Sequence, residues 1–434
     1  MREYFIAAEE VTWNFAPSGR DLLYNRPIPP LYSKTVYPKL HYVEYTDKTF
    51  SVPRPQPEWL GILGPIIRAE VGDTVIVHFL NRSKRLLSIH PHGLKYTKEN
   101  EGAVYSVATG HAAPGVKRGG ETTYTWFADE TSGPGKDQPS SIMWPYHSHI
   151  DESQEVNEGL IGAIIVTAKG MAKPDGSPRD VDQEFVALFM MFDQDFGKET
   201  GMMHSINGYI FGNLPGLNIE LGSKVRWHVF AMGNERDIHT AHWHGVKTFA
   251  PAEHQDVVAV FPATTKTVDM KADNPGSWMF HCHVADHMEG GMMAYFNILG
   301  PRPPCPLNFG PGEFWKDPHN VQFTVSNPSN KLIKQINFNT NVFIKPNYLT
   351  TTYLLWKSDG PLAAGATATY KFPIAMHDSS AIVGWVVYIS SIEYEDGTVW
   401  RPKDINQCAH VYWHDGNTQQ PRVLPPVQTS HEED

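Results

Sequence analysis

At 434 residues the chain is too long for one ordinary domain, and two to four are expected. Its 12% aromatic and 19% charged residues suffice for sizeable cores, while a formal net charge of −11 argues against non-specific nucleic-acid binding. Gly 35 and Pro 34 supply many turns, no amphipathic helix of core length stands out, and no apolar run is long enough to span a membrane, so all-β sandwiches are favoured over helical packing.

The first segment, residues 1–170, alternates short β runs with turn clusters. RAEVGDTVIVHFLNRS, Arg68 to Ser83, reads as a turn and then a strand, with Val75, Val77 and Phe79 on one face and Thr74, Ile76 and His78 on the other. IHPHG follows at Ile89–Gly93, then TYTWFADE, MWPYHSHIDESQ and GLIGAIIVTAKG. Met171 to Asp180, rich in Pro, Gly and Asp, reads as a linker. Across residues 181–300 the pattern then repeats. ELGSKVRWHVFAMGNERDIHTAHWHG, Glu220 to Gly245, matches the earlier turn, strand and HxHG, and WMFHCHVADHMEGGMMAYFNIL matches WPYHSHIDESQEVNEGLIGAIIV. An internal duplication of one β-sandwich is the economical account.

The proline-rich PRPPCP opens a different stretch at Pro301. QFTVSN, QINFNT, TATYKF and VGWVVYISSIEYEDGTVW are expected strands of a third, smaller, immunoglobulin-like sandwich over residues 301–416. His319, His377, His410 and His414 are scattered there without ligand spacing, and residues 417–434 are polar and expected to be disordered. The three cysteines are Cys282, Cys305 and Cys408. If Cys282 binds a metal, the other two form either a disulfide or two buried thiols.

WMFHCHVADHMEGGM, Trp278 to Met292, concentrates the chemistry. Cys282, His287 and Met292, with one further histidine, make the trigonal Cys-His-His set with a weak axial Met that defines a blue-copper centre. Alternation along an extended segment puts His281 and His283 on the face that Cys282 leaves free, where a second metal centre can bind. Ser148 occupies the matching place in the first repeat, so only the second can hold a blue site. Four His-x-His pairs occur at matching places: His90/His92, His147/His149, His242/His244 and His281/His283. Eight neutral imidazoles suffice for three copper ions with a position left open for dioxygen or water. His239 completes the blue site.

HPHG, HSH, HTAHWHG and HCHVADHMEGGM resemble the four copper-binding segments of the multicopper oxidases, in order. The resemblance implies cupredoxin folds, Greek-key β-sandwiches, for the two repeats, and four coppers per subunit. His239, Cys282, His287 and Met292 would hold type 1 copper and His90 with His242 type 2 copper. His92, His147, His149, His244, His281 and His283 would hold the type 3 pair. It further implies one-electron oxidation of a donor at the type 1 site and four-electron reduction of dioxygen to water. WLGILGPIIRAEVGDTV, YHSHID, FGNLPGL, GNERDIH and HCHVADH are most similar to the ceruloplasmin and hephaestin branch. The two-domain laccases are also similar, and that likeness implies a homotrimer with interfacial trinuclear clusters. The third domain has no counterpart in ceruloplasmin.

Within the ceruloplasmin resemblance, Glu199, His204 and Asp286 stand at the positions of a ferroxidase site, so ferrous iron is the expected donor. A laccase-type oxidase taking electrons from phenols at His287 is the alternative, and Tyr96 matches a tyrosine near the trinuclear cluster of those enzymes. A copper nitrite reductase is disfavoured by His283, and a non-catalytic copper protein by the complete ligand set. Asp151 and Glu152, just after HSH, are candidate proton donors. MREYFIAAEEVTW lacks the pattern of a signal peptide. Copper chemistry and the possible disulfide point to a periplasmic or secreted protein whose leader has been replaced.

Overall fold

The protein is described by a computed structural model at residues 1–105, 115–195, 198–250, 253–300, 305–316, 319–344, 350–358, 360–373, 382–402 and 408–413. It divides into two compact units, Met1–Gly300 and Pro301–Asp434. Among the described residues the regular structure is nearly all β. The only α-helices are two short ones, α1 (Glu152–Asn157) and α2 (Ala285–Glu289).

Hydrophobic alternation builds the first unit. In Thr74–Asn81 every second residue is buried: Val75, Val77 and Phe79 have no exposed surface, while Thr74, Ile76 and His78 are half-buried. One sheet runs in the order Val36–Tyr45, Arg2–Asn14, Thr74–Asn81, Glu121–Phe127. Another runs Ile67–Glu70, Ile161–Thr167, Ser141–His147, His90–Pro91. The second half reproduces this plan. Gln183–Asp193 runs parallel to Lys224–Ala231 as Arg2–Asn14 does to Thr74–Asn81, and Asn218–Glu220 parallel to Met293–Leu299 as Ile67–Glu70 does to Ile161–Thr167. Each half therefore packs two sheets around its own core, one including Ile6, Val77, Trp126 and Ile164 and the other Trp227, Trp243, Phe280 and Phe296.

A third core belongs to both halves. Phe15, Leu63, Met143 and Ile165 pack with Val186, Leu188, Phe192 and Phe230, which is why the repeats form one unit. A polar seam reinforces it. Arg226, fully buried, holds Asp269 through two hydrogen bonds (Nε–Oδ1 2.7 Å, Nη2–Oδ2 3.0 Å) and reaches Ser140, Ser141 and Asp180. Glu184 of the second half accepts from Arg68 (2.6 Å) and Ser141 (3.1 Å) of the first, and from His228 (3.0 Å). Burial alone would raise the Glu184 carboxyl, but His228 and Arg68 outweigh it and hold it at about 2. Residues 171–180, expected as a linker, are instead tied down. Arg179 N donates to Met171 O, Thr167 Oγ1 to Gly176 O and Arg226 to Asp180, because this stretch turns between two packed strands and its backbone must be satisfied.

The second unit packs two sheets of its own around Phe323, Val325, Tyr370, Phe338, Trp385 and Ile389. Cys305 and Cys408 are joined by a disulfide across 103 residues, which answers the question the sequence leaves open. The PRPP boundary, His377, His414 and the tail lie outside the described residues, as does the side chain of His319.

Two stability tests follow. Arg226→Met removes both guanidinium bonds to the Asp269 carboxylate, leaving it the Lys224 ammonium at 3.2 Å, and is expected to lower the urea-unfolding free energy of the first unit by about 3 kcal/mol. Reduction of the disulfide, which closes a long loop, is expected to destabilise the second unit by roughly 4 kcal/mol, read by the same titration with and without reductant.

Candidate metal centres

Cys282 ends the strand Gly276–Cys282 and is fully buried. Its strand pairs antiparallel with His239–Trp243, Ala241 opposite Cys282, which brings His239 to the thiol. The chain then turns through α2, which delivers His287, and closes on itself: Met292 N donates to His287 O (2.9 Å) and Cys282 N to Met292 O (3.1 Å). His239 Nδ1 and His287 Nδ1 stand 3.0 Å apart, and Cys282 Sγ lies 3.8 Å from the first and 3.6 Å from the second. Met292 is fully buried beside them.

Burial pushes the Cys282 thiol up, but the hydrogen bonds from His239 and His287 prevail and bring it down to about 6, so a thiolate is accessible near neutrality. Burial lowers His239, but Asp237, whose Oδ1 lies 3.2 Å from Nε2, and Cys282 together raise it. That carboxylate is fully buried and also accepts from Met191 N (2.8 Å) and Asn234 N (2.9 Å).

The eight remaining histidines form two matching sets of four. His90 pairs across strands with His147, and His242 with His281, in the same antiparallel register. Within the four His-x-His pairs the ring centroids lie 5.5, 5.5, 4.8 and 5.5 Å apart, so each pair shares a face as the alternation requires. Nε2 of His92 is 2.9 Å from that of His147, and Nε2 of His244 is 3.0 Å from that of His281.

Backbone carbonyls set the tautomers. His90 Nδ1 donates to Glu101 O (2.6 Å) and His242 Nδ1 to Asp256 O (2.8 Å). His147 and His281 each donate Nδ1 to the carbonyl of the next residue (2.9 and 2.7 Å). All four thereby keep Nε2 free as a ligand. Burial, first among the causes, brings His92, His147 and His281 down to about 4, so these imidazoles are neutral. Gly93 (φ +67°) and Gly245 (φ +73°) end the two HxHG turns where a Cβ would run into the rings of Trp144 and Trp278.

Among the described residues, no hydrogen bond, ion pair or ring contact joins the two sets. At the Cys282 position of the first half, Ser148 is buried and its Oγ accepts from Ser88 N (3.0 Å), a structural use of the site. Tyr96 stacks edge-on to His90 at 5.9 Å. The Glu152 carboxylate lies 3.3 Å from His149 Nε2. Asp151 lies just before α1, away from these contacts.

Beside His287 opens a cavity of about 740 Å³, lined by Leu31, Tyr32, Met191, Met202, His204, Arg236, Asp286, His287 and Glu289. His204 comes from the strand Met202–Ile206, with its ring 5.5 Å from that of His287 and edge-on to Tyr32 at 6.0 Å. Asp286 lies in the first turn of α2. Glu199 opens the 3-10 turn Glu199–Gly201 just before the His204 strand; its side chain lies outside the described residues. Arg236 and Asp237 lie within GNERDIH and Glu289 within HCHVADHMEGGM, but those stretches assign none of the three a role. The available signal for Asp237 is its place two residues before His239, where its carboxylate reaches back to the ring.

A buried thiolate with two imidazoles and a methionine, coupled to histidine pairs, defines a protein built to hold several copper ions. Sequence profiles described as "Multicopper oxidase" match residues 61–170 and 186–300. Ferroxidase HEPHL1 of Homo sapiens is 35% identical over 337 residues, 68% of this chain and 29% of that protein. Ceruloplasmin of Rattus norvegicus is 35% identical over 343 residues, 70% and 32% respectively. The chain therefore spans about a third of these relatives' length. A solved structure titled "Crystal structure of multicopper oxidase" overlays with a TM-score of 0.50 at 22% identity, covering 68% of this chain and 88% of that one, and supports the fold. The chain belongs to the multicopper oxidases.

That family implies copper, and the donors fit it. One ion bound at about 2.0–2.3 Å to nitrogen and sulfur spans donor separations of the size seen among His239, Cys282 and His287. Soft thiolate with imidazole is the set that copper favours. Asp237→Asn is expected to weaken metal retention at this centre by about 10–100-fold, because the carboxylate orienting His239 is lost. Competition against a copper chelator, followed by the thiolate-to-copper absorption, measures it.

Proposed function

We propose that the protein is a ferroxidase-type multicopper oxidase. The observation that carries this reading is the cavity at His287, where His204, Asp286 and Glu289 converge beside a ligand of the thiolate centre. Imidazole and carboxylate oxygen suit a ferrous ion, and the relative named a ferroxidase adds support. When bound, copper supplies one-electron acceptance at the Cys282 centre and reduction of dioxygen to two waters at the histidine cluster, with four electrons and four protons consumed. Asp286 holds the donor, a role that the ferroxidase resemblance also gives to Glu199, and His204 orients it against the His287 edge. Asp237 keeps His239 in place. Tyr96 and Glu152, beside His90 and His149, are the groups placed to serve the dioxygen side.

Four coppers per chain follow from this reading: type 1 on His239, Cys282, His287 and Met292, type 2 between His90 and His242, and a type 3 pair on the other six histidines. Among the described residues no contact joins the two half-sets within one chain, and His283 is exposed. A head-to-tail ring of three copies, in which the first half of one meets the second half of the next, completes three clusters and closes. The 301–416 module and the two cupredoxin repeats, 1–170 and 181–300, are the domains of this reading. The disulfide suits an oxidising, periplasmic or extracellular location.

A laccase-type activity toward phenols is the second reading, favoured by Leu31, Tyr32, Met191 and Met202 in the cavity wall. Steady-state kinetics separate the two. In Glu199→Ala/Asp286→Ala, kcat/KM for ferrous iron is expected to fall by roughly 10–100-fold, by the loss of metal ligands, and that for a phenol far less. Equal iron kinetics in the double variant would overturn the ferroxidase site. Light scattering is expected to give three times the 48.8 kDa chain mass, with four coppers per chain by metal analysis.

A further inference from the structure

The cavity at His287 holds a group that a bare ferrous ion does not need. Arg236 lines it from the loop before His239–Trp243, together with Asp286 and Glu289 of α2. Arg236 is exposed and makes no ion pair with any described residue, although two carboxylates line the same space. Its backbone N–H donates to Asn234 Oδ1 (3.0 Å), which anchors the loop that carries it.

Size adds a second, independent argument. At about 740 Å³ the cavity belongs to the range of small-molecule sites, far beyond a single hydrated ion. Its lining also has the anatomy of such a site, with apolar walls from Leu31, Tyr32, Met191 and Met202 and a few convergent polar groups. The polar groups are divided by sign. Carboxylates and imidazole stand near His287, where a cation is preferred, while the guanidinium is built to take a carboxylate with two parallel hydrogen bonds.

We propose that Arg236 is a specificity-determining residue that binds the carboxylate of a donor carrying both a metal and its own acid group: a ferrous ion already chelated by a small polycarboxylate. The inference rests on the reading of this cavity as the donor site. The metal end of the chelate sits toward His204, Asp286 and His287, and a free carboxylate of the chelator reaches Arg236. The chelated ferrous ion gives up one electron and leaves as the ferric chelate, with dioxygen as the final acceptor.

The test uses the copper-loaded protein, with ferrous chloride and ferrous citrate as donors, on wild type, Arg236→Gln and Arg236→Lys. Removing one cation acts on the two donors with opposite sign. The KM for ferrous citrate is expected to rise about tenfold in R236Q, as loss of a charge-assisted pair predicts, with partial rescue in R236K. The KM for ferrous chloride is expected to fall, since a repelling charge has gone. Calorimetric titration with zinc citrate, which is redox-silent, reads binding without turnover and should show the same loss in R236Q. Both donors moving in the same direction, or zinc citrate binding R236Q as well as wild type, would overturn the proposal. Should zinc citrate bind through Arg236 while wild type fails to oxidise either ferrous donor, the ferroxidase reading falls and the anion site stands. A carboxylated phenol whose KM rises in R236Q, when the citrate arm does not move, assigns the guanidinium to an organic acid donor and overturns the chelate.

Discussion

The strand Gly276–Cys282 places consecutive side chains on opposite faces, and the whole site depends on that alternation. Cys282 faces the core with His239 and His287, while His281 and His283 face the other way, toward His242 and His244. A slip of one residue against His239–Trp243 would exchange the two faces and destroy both centres. The buried rings of Trp227, Trp243 and Phe280 beneath the strand hold the register. Two metal centres of different chemistry are thereby joined through adjacent residues, with His281 Nδ1 bonded to the Cys282 carbonyl.

The first half repeats this geometry without the thiol. His90 and His147 pair as His242 and His281 do, and backbone carbonyls fix all four rings in the same sense. Ser148, buried and bonded to Ser88 N, replaces the ligand by an internal hydrogen bond. Leu87, Ser148 and Ser153 stand where the second half has His239, Cys282 and His287, so the first half lacks the whole donor set while the fold and the histidine pairs are kept. The shared core and the buried Arg226–Ser141 and Arg68–Glu184 contacts then lock the two halves into one body.

The donor side is assembled differently. Its cavity gathers Leu31 and Tyr32, Met191, Met202 and His204, Arg236, and the turn of α2, five places far apart in the chain. Orientation of the buried His239 likewise relies on Asp237, which is held by Met191 N from another strand. Neither the cavity nor the hold of Met191 N on Asp237 has a spacing that local periodicity can reveal.

Much was legible in the residues alone. Period-two alternation, the repeated HxHG and HxH motifs, and one cysteine between two histidines are local patterns, and local patterns survive without a fold. They determined the β class, the duplicated motifs and the twelve candidate ligands, and they carry the reading that only the second repeat can hold a blue site. Only the tertiary structure decided how the stretch 171–180 is hydrogen-bonded, that Cys305 meets Cys408, and that Met191 N holds the Asp237 carboxylate. It also set Arg236 beside Asp286 and Glu289. The reason is physical: these relations join residues from separate strands and loops, and their distances are set by how sheets pack and by which buried groups find partners, quantities that no single stretch of chain carries.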